Sequence, residues 1–367
     1  MTHPRYTKLL DSLPPTVPFV GPEVIERTTG QPFSARLGAN ENTFGPSPKA
    51  LEAMRQADTE IWKYPDSASH DLKTEIAAQN DVGYDNIVIG EGVDGLLGYL
   101  ARMMVEQGDA VVTSDGAYPT FNYHVAGFGG VLHKVPFKGD HEDLDALIAR
   151  AAEVDAKLLY LSNPDNPMGS YIPGDTIAAT LDRLPTGCLM ILDEAYIELA
   201  PEDARTPIAT EDPRVIRMRS MSKAYGLAGA RVGYALGAAP LIKNFDKIRN
   251  HFGMNRSAQH AALAALQDTE WLAHIQTQVQ QARDHLTRIA NDNGLTALPS
   301  ATNFVTIDCG KDGAYAKAVL DNLATQGIFV RMPGPAPLNR CIRVSCAQTA
   351  ALDLFAAALP TALKAAQ

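Results

Sequence analysis

The most regular pattern in the chain is an alternation of short β-branched runs with longer amphipathic stretches, between about residues 86 and 236. Each short run has the length of a buried strand, and the stretches between most of them, such as 95–105 and 143–152, are long enough for helices. Strands that alternate with helices predict an α/β fold with a mostly parallel sheet and helices on both faces. The predicted strands are 87–89, 110–113, 131–135, 158–161, 189–192, 215–218 and 232–236.

The pattern changes after residue 236. Residues 257–291 have helical periodicity without a proline, and Asn293-Gly294 follows them, which predicts one long helix linking two parts of the molecule. The strand, helix, two short strands and closing helix predicted beyond it indicate a smaller α+β domain. The first 30 residues are rich in proline and predict an arm. We therefore expect an N-terminal arm (1–30), a large domain (31–255), and an interdomain helix with a small C-terminal domain (256–367).

Composition narrows the classes of function. At 367 residues, with 46% hydrophobic and 20% charged residues, the chain has the composition of a globular protein with a sizeable core. Its net charge of -10 disfavours nucleic acid and anionic membranes as partners. The four cysteines lack CxxC spacing, no apolar run could span a membrane, and the nine histidines have no metal-ligand spacing. We expect a cytoplasmic protein without a metal.

A lysine follows the predicted strand 215–218 in the sequence Arg-Ser-Met-Ser-Lys-Ala-Tyr-Gly-Leu. Lys223 has hydroxyl groups one and three residues before it, at Ser222 and Ser220, and Arg231 eight residues after it. Burial and neighbouring positive charge lower the pKa of a lysine, so that its neutral amine can attack an aldehyde. An isolated Ser-x-Ser-Lys is more often a surface loop, but other motifs in the chain favour chemistry at Lys223.

A second motif, Ile-Leu-Asp-Glu-Ala-Tyr, ends an apolar strand with Asp193 and places Tyr196 three residues later. An acid at the carboxyl end of a strand can lie in the ligand crevice of an α/β sheet. The alternative is an acid that caps the following helix.

A third motif, Gly-Glu-Gly-Val-Asp-Gly at 90–95, stands between a predicted strand and a predicted helix. Glycines there allow backbone N–H groups to approach an anion at the helix N-terminus. Alone, the motif would also suit an NAD-dependent oxidoreductase, with Asp109 or Asp115 near the ribose. Lys223 and Asp193 are not expected of a dehydrogenase, so we favour a phosphate cradle for another cofactor. The predicted cradle consists of Gly92, Val93 and Asp94.

Together these motifs resemble those of the class I and II aminotransferases, which are fold type I pyridoxal-5′-phosphate enzymes, and among them the histidinol-phosphate aminotransferases. The similarity extends from Ala39 to Arg343. It implies transfer of an amino group from a small-molecule donor to a keto acid, with 2-oxoglutarate as the expected acceptor. By this resemblance, Lys223 carries the cofactor as a Schiff base, and Asp193 keeps its pyridine nitrogen protonated. The resemblance also implies that the cofactor contacts Tyr196, Ser220, Ser222 and Arg231.

The resemblance assigns three more residues to the cofactor. Asn166, in the loop Ser-Asn-Pro-Asp-Asn-Pro-Met-Gly, is expected to donate to a ring oxygen, although Asp165 and Met168 depart from the Asn and Thr usual in the family. Tyr118 matches the aromatic residue that stacks on the ring. Tyr64 matches a tyrosine that reaches the cofactor phosphate of the neighbouring subunit, so the expected assembly is a homodimer.

For the substrate, the resemblance implies that Arg343 binds an anionic group with help from Arg331, and that Asn40 lies in the substrate-side loop. Phe19 stands where histidinol-phosphate enzymes usually carry a tyrosine that binds the substrate phosphate. The donor can therefore be histidinol phosphate or an aromatic amino acid. Other chemistry on the same fold, a decarboxylase or a pyridoxal-phosphate-binding module without turnover, stays open at this point.

Overall fold

The computed structural model describes residues 4–15 and 19–367 of the chain. The helices are α1 (Lys8–Ser12), α2 (Pro22–Thr29), α3 (Pro48–Asp58), α4 (His70–Asn80), α5 (Gly92–Met104), α6 (Pro119–Gly127), α7 (Leu144–Glu153), α8 (Gly174–Ala178), α9 (Ala239–Phe245), α10 (Arg256–Gln267), α11 (Thr269–Asp292), α12 (Gly313–Thr325) and α13 (Thr349–Ala365). The strands are β1 (Ala35–Arg36), β2 (Ile87–Gly90), β3 (Ala110–Ser114), β4 (Val131–Val135), β5 (Leu158–Ser162), β6 (Leu189–Asp193), β7 (Val215–Ser220), β8 (Gly233–Gly237), β9 (Thr296–Ala297), β10 (Phe304–Asp308), β11 (Ile328–Phe329) and β12 (Cys341–Ser345).

The largest sheet has seven strands in the order β2-β8-β7-β6-β5-β3-β4. The strands from β7 to β4 in this order are parallel to their neighbours, and β8 is antiparallel to both β7 and β2. Every residue of β5 and β6 is buried, as expected for central strands covered on both faces. The α/β fold with a mostly parallel sheet, predicted from the alternation of apolar runs, is confirmed.

Two layers of helices cover the two faces of this sheet. Leu158 and Tyr160 of β5 pack in one apolar cluster with α5 and α6, while Leu159 and Leu161 pack in another with α7. Successive residues of a strand point to opposite faces, so an unbroken apolar run can fill both clusters. None of the described helices combines the length and apolarity that a membrane crossing requires.

The C-terminal part of the chain forms a separate antiparallel sheet in the order β12-β10-β9, next to α12 and α13. The short strand β1 pairs in parallel with β11, with Ala35 opposite Ile328. The chain just after the predicted arm is therefore attached to the C-terminal part before it enters the large sheet. The domain boundaries proposed from the sequence stay a prediction.

The prediction of one continuous helix over residues 257–291 is wrong, because α10 ends at Gln267 and α11 begins at Thr269. Asp268 separates the two helices, and its side chain is buried at the start of α3. It accepts a hydrogen bond from Ser47 and forms an ion pair with Lys49, with 2.8 Å between Oδ1 and Nζ. The contacts that fix this break are with residues more than 200 positions away in the sequence. The helical periodicity of residues 257–291 therefore gives no sign of it.

Candidate active site

Four of the predicted residues lie at or just after the carboxyl ends of parallel strands. Tyr118 follows β3, Asn166 follows β5, Asp193 ends β6 and Lys223 follows β7. After β3 the chain forms β4, which lies on one side of β3, and then β5, which lies on the other side of β3. Such a reversal of strand order opens a crevice at the carboxyl edge of a parallel sheet, where ligands bind.

The amine of Lys223 lies within this crevice. Its Nζ donates a hydrogen bond of 3.2 Å to the carbonyl oxygen of Asn40 and lies 5.6 Å from the centre of the Tyr196 ring. Burial, followed by the positive charges of Arg343 and Arg231, lowers the pKa of Lys223 to about 8, against the opposing effect of the Glu41 and Asp193 carboxylates. The structure thus provides the lowered pKa that the sequence motif led us to expect.

Asn40 connects the lysine to the C-terminal part of the chain. Its backbone is in the left-handed region, with φ of 55°, a conformation that asparagine tolerates better than most residues. Its carbonyl oxygen also accepts from Asn303 Nδ2 at 2.9 Å, and its amide N–H donates to Ser345 Oγ at 2.9 Å. Asn303 and Ser345 were not predicted, since nothing in their local sequence indicates that they meet a residue about 300 positions earlier.

A hydrogen-bonded chain joins the remaining polar residues of the crevice. The Tyr196 hydroxyl accepts from Asn40 Nδ2 at 3.2 Å and from Asn166 Nδ2 at 3.5 Å. The carbonyl oxygen of the Asn166 side chain accepts from Arg343, whose Nη2 also donates to Gly38 at 3.0 Å. The Nε of Arg343 is buried and has no acceptor among the described residues.

Asp193 is buried beneath the crevice. The hydroxyl of Tyr160 donates to its Oδ2 at 2.6 Å, and the amide of Ala195 donates to Oδ1 at 3.0 Å. Burial nevertheless raises the pKa of Asp193, because these two bonds only partly offset the loss of water. The sequence analysis did not predict a role for Tyr160. A phenol within an otherwise aliphatic strand is nevertheless a signal, because its buried hydroxyl needs a hydrogen-bond partner.

An anion cradle lies beside the lysine, at the N-terminus of the 13-residue helix α5. Gly92 begins α5 with φ of 77°, and a Cβ atom placed on it would lie 2.6 Å from Nη2 of Arg231. Arg231 is itself in the left-handed region, with φ of 56°, and its Nη1 donates to Ser222 Oγ at 3.4 Å. The amide of Ser222 donates in turn to Ser220 Oγ at 3.1 Å. A helix N-terminus, a guanidinium group and two hydroxyls have the chemistry that suits a phosphate.

Two residues of the predicted cradle contribute in different ways. The backbone of Val93 lies over β8, where a Cβ on Gly233 would come within 2.6 Å of the Val93 nitrogen. The carboxylate of Asp94 contacts His124, with 2.9 Å between Oδ1 and Nε2. Any contact of Asp94 with a phosphate is therefore limited to its backbone N–H.

The predicted substrate residues Phe19 and Arg331 lie on the arm side of the crevice. The Phe19 ring lies 5.8 Å from that of Tyr118 and 5.9 Å from the guanidinium carbon of Arg331. Arg331 Nη2 donates to the carbonyl oxygen of Val20 at 2.6 Å, and its backbone pairs with that of Arg343. The arm and the C-terminal sheet thus meet over Tyr118.

Tyr64 is the one predicted site residue that the structure does not connect to the others. Its side chain is 80% exposed and packs on Phe252, with 5.0 Å between ring centres. Within a single subunit, Tyr64 therefore belongs to the surface.

A mostly parallel sheet with a buried lysine, a strand-end aspartate and a phosphate cradle at one edge is the arrangement that defines fold type I pyridoxal-phosphate enzymes. The aminotransferase class I and II family matches residues 35–359. The chain belongs to this family and is an aminotransferase. The similarity leaves no ground for the dehydrogenase interpretation of the glycine motif.

Individual relatives agree with this assignment. Histidinol-phosphate aminotransferase 2 of Carboxydothermus hydrogenoformans is 34% identical over 92% of this chain and 93% of its own length. The crystal structure of histidinol-phosphate aminotransferase from Sinorhizobium meliloti in complex with pyridoxal-5′-phosphate is 53% identical, with a TM-score of 0.96 over 99% of this chain and 98% of that chain. A putative histidinol-phosphate aminotransferase from Erwinia carotovora is 25% identical, with a TM-score of 0.84 over 92% of this chain and 97% of that chain.

The packing of β8 under the cradle leads to a prediction. Gly233→Ala should weaken the binding of pyridoxal phosphate by about tenfold or more, because the new Cβ must displace the backbone of Gly92 and Val93. Gly237→Ala on the same strand is the matched control, since its Cβ would meet only ordinary contacts of 3.5 Å or longer. Titration of both cofactor-free variants, followed by absorbance, measures the effect; equal Kd values would contradict it.

Proposed function

We propose that this aminotransferase binds pyridoxal phosphate in the crevice, with Lys223 as its covalent partner. The observation that carries the proposal is the Lys223 amine with a pKa of about 8, flanked by the anion cradle and by Asp193. In this proposal Ser220, Ser222, Arg231 and the backbone of Gly92, Val93 and Asp94 hold the phosphate. Tyr118 covers the ring, and Asn166 and Tyr196 bind its oxygen.

The residues present fit such a cofactor in two respects. Gly92 has a φ of 77°, which favours glycine, and a Cβ there would push against the guanidinium group of Arg231, which is proposed to hold the phosphate. Asp193 is buried with a raised pKa, so a cationic partner, such as a protonated ring nitrogen, would stabilise its ionised form. When bound, pyridoxal phosphate supplies the electron sink through which amino groups are transferred.

Each side chain then has a defined task. With a pKa of about 8, roughly a tenth of the Lys223 amine is neutral at pH 7, enough for it to act as a nucleophile and as a base that accepts and returns the substrate α-proton. Asp193 keeps a proton on the ring nitrogen, held in place by Tyr160. Arg343, which lies against Asn166, binds the anionic group of the substrate, because its planar group of N–H donors matches a carboxylate or a phosphate.

We propose histidinol phosphate as the amino donor and 2-oxoglutarate as the acceptor. The names of the relatives support the donor. The backbone bridge between Arg331 and Arg343 also supports it, because residues directly opposite each other in such a pair have side chains on the same face, and two guanidinium groups suit a dianionic phosphate. Asn40, bonded to both Lys223 and Tyr196, lies on the substrate side of the lysine.

One observation favours a second candidate, an aromatic amino acid. Phe19 lies between Tyr118 and Arg331, the position from which a tyrosine could offer a hydroxyl to a phosphate. A phenyl ring offers only an apolar surface there. The loss of one hydrogen bond to a charged group costs about 1.5–3 kcal/mol, or one to two orders of magnitude in specificity.

We further propose that two copies of the chain form a homodimer in which Tyr64 is shared. The exposed side chains of Ile61, Trp62, Tyr64 and Phe252 line one surface pocket, an apolar patch that suits a protein interface. The patch adjoins the cradle, because Gly253 packs against Glu91, the residue before Gly92. A two-fold axis through this patch would bring the Tyr64 of one copy towards the cradle of the other.

We also propose a cytoplasmic location. Its support is that all four cysteines, Cys188, Cys309, Cys341 and Cys346, are buried as free thiols.

Lys223→Ala should abolish transamination, with kcat lower by at least about 10²–10⁴-fold, the range for loss of a general base alone. The control is Lys364→Ala, in the last turn of α13, which should keep wild-type activity. Both rates are measured with histidinol phosphate and 2-oxoglutarate. A Lys223→Ala enzyme with near wild-type turnover would show that another amine performs the reaction.

Subunit mixing tests the shared Tyr64. Lys223→Ala and Tyr64→Ala proteins, each impaired alone, should recover up to about a quarter of wild-type activity after exchange, since half of the dimers then contain one intact site. In the control, the Tyr64→Ala protein is mixed with the Lys223→Ala, Tyr64→Ala double variant. The double variant cannot supply the tyrosine, so activity should not return. If activity does not return although mass spectrometry detects heterodimers, each subunit uses its own Tyr64 or none.

Phe19→Tyr tests the substrate. The new hydroxyl should raise kcat/KM for histidinol phosphate by about 10–100-fold relative to phenylalanine, because it adds a donor to the substrate phosphate. Wild type and variant are compared with histidinol phosphate, phenylalanine and tyrosine, each with 2-oxoglutarate. If Phe19→Tyr leaves the ratio of kcat/KM for histidinol phosphate to kcat/KM for phenylalanine unchanged, Phe19 does not determine specificity.

A further inference from the structure

The side chain of Asn42 contacts the main chain of the lysine segment, although the proposed function assigns no role to it. Its Nδ2 lies 3.1 Å from the carbonyl oxygen of Lys223 and 3.1 Å from that of Ala224. Its Oδ1 accepts a hydrogen bond of 3.1 Å from the backbone amide of Phe44. Because an amide N–H can only donate, the oxygen of the Asn42 side chain must face Phe44, and its NH2 group must face the two carbonyl groups.

The two carbonyl groups belong to the turn that carries the lysine. The amide of Gly226 donates to the Lys223 carbonyl at 3.1 Å, which closes this turn. Ala224 is 1% exposed, and its carbonyl oxygen has no donor other than Asn42 among the described residues. A buried carbonyl group that loses its donor destabilises the conformation that buries it, so this turn depends on Asn42.

The backbone that follows Asn42 packs against the same turn. Gly226 has a φ of 69°, and a Cβ atom placed on it would lie 2.8 Å from backbone atoms of both Gly45 and Pro46. The carbonyl oxygen of Gly45 accepts in turn from Trp271 Nε1 at 3.3 Å. The segment is therefore held between α11 and the lysine turn, which keeps the amide of Asn42 against the turn.

The same segment also meets the end of the Lys223 side chain. The Nζ atom donates to the carbonyl oxygen of Asn40, two residues before Asn42. The lysine is thus held at its amine by the backbone of Asn40 and at its main chain by the side chain of Asn42. A lysine side chain is a flexible four-carbon stem, so a fixed backbone narrows the range of positions that its amine can take.

We propose that Asn42 is a positioning residue for Lys223, because its side-chain amide fixes the turn from which the reactive amine extends. Asn42 acts on the reaction through the lysine. The inference rests on the proposed function, in which Lys223 is the covalent partner of pyridoxal phosphate. The contacts that carry it are hydrogen bonds and backbone packing within the chain, so part of its test needs no cofactor.

The first measurement is hydrogen–deuterium exchange of the full chain without cofactor. The amide of Gly226 should exchange faster by about fivefold or more in Asn42→Ala and in Asn42→Asp, because both variants remove the donor to the turn. Asn42→Asp keeps the size of the side chain and the acceptor for Phe44. It therefore distinguishes loss of the donor from loss of volume, and it serves alone if Asn42→Ala does not fold.

Asn86→Ala is the matched control for this exchange. The Asn86 side chain also donates to a backbone carbonyl, that of Gly237 at 2.9 Å, at the end of β8 that lies away from the cradle. Its loss should leave the exchange of Gly226 at the wild-type rate. If Gly226 exchanges at the wild-type rate in the Asn42 variants as well, Asn42 does not hold the turn.

The second measurement separates the lysine from the rest of the pocket. When cofactor-free enzyme captures pyridoxal phosphate, the Lys223 amine adds to the aldehyde carbon and water leaves, which the visible absorbance follows. The Asn42 variants should lower the rate constant of this capture by about tenfold, because a misplaced nucleophile reacts slowly. Pyridoxamine phosphate has no aldehyde and cannot bond to the lysine, so its Kd should stay within about twofold of the wild-type value.

Two results would overturn the positioning role. One is a capture rate equal to that of wild type. The other is a Kd for pyridoxamine phosphate that rises by as large a factor as the capture rate falls, because Asn42 would then support the pocket as a whole. If wild type itself captures no pyridoxal phosphate, the proposed function fails, whereas the exchange of Gly226 still decides whether Asn42 holds the lysine turn.

Discussion

Burial of the Lys223 amine beside two guanidinium groups is the constraint on which the rest of the site depends. Burial and the neighbouring charges of Arg343 and Arg231 disfavour the protonated form of this lysine and lower its pKa to about 8. The same concentration of positive charge attracts anions to a protein whose net charge is -10. The cofactor phosphate and a keto acid are both anions, so the same electrostatic arrangement suits the proposed nucleophile and its ligands.

The sheet makes this arrangement possible. Parallel strands end at the same edge, so side chains that follow β3, β5, β6 and β7 meet although up to about a hundred residues separate them along the chain. The backbone of Asn40 and the guanidinium group of Arg343 complete the site from outside the sheet. These outer contacts come from the segment that follows β1, which pairs with β11, and from β12, so residues outside the large sheet complete the site.

Buried negative charge complements the positive site. Asp193 lies below the crevice, and behind the large sheet Arg219 pairs with Glu194 at 2.6 Å and with Glu198 at 3.6 Å. Such buried groups need partners, because a lone charge in the interior is strongly destabilising.

The sequence by itself determined the strands of the large sheet and the class of cofactor, and it predicted candidate residues for the site. Apolar runs and the Lys223, Asp193 and glycine motifs are local, and local patterns predict elements and the residues that end them. Only the tertiary structure decided the break at Asp268, the phenol of Tyr160 on Asp193, and the contacts of Asn303 and Ser345 with Asn40. Each of these depends on a partner distant in the chain, and burial, which shifts the pKa values of Lys223 and Asp193, exists only after those distant segments have packed together.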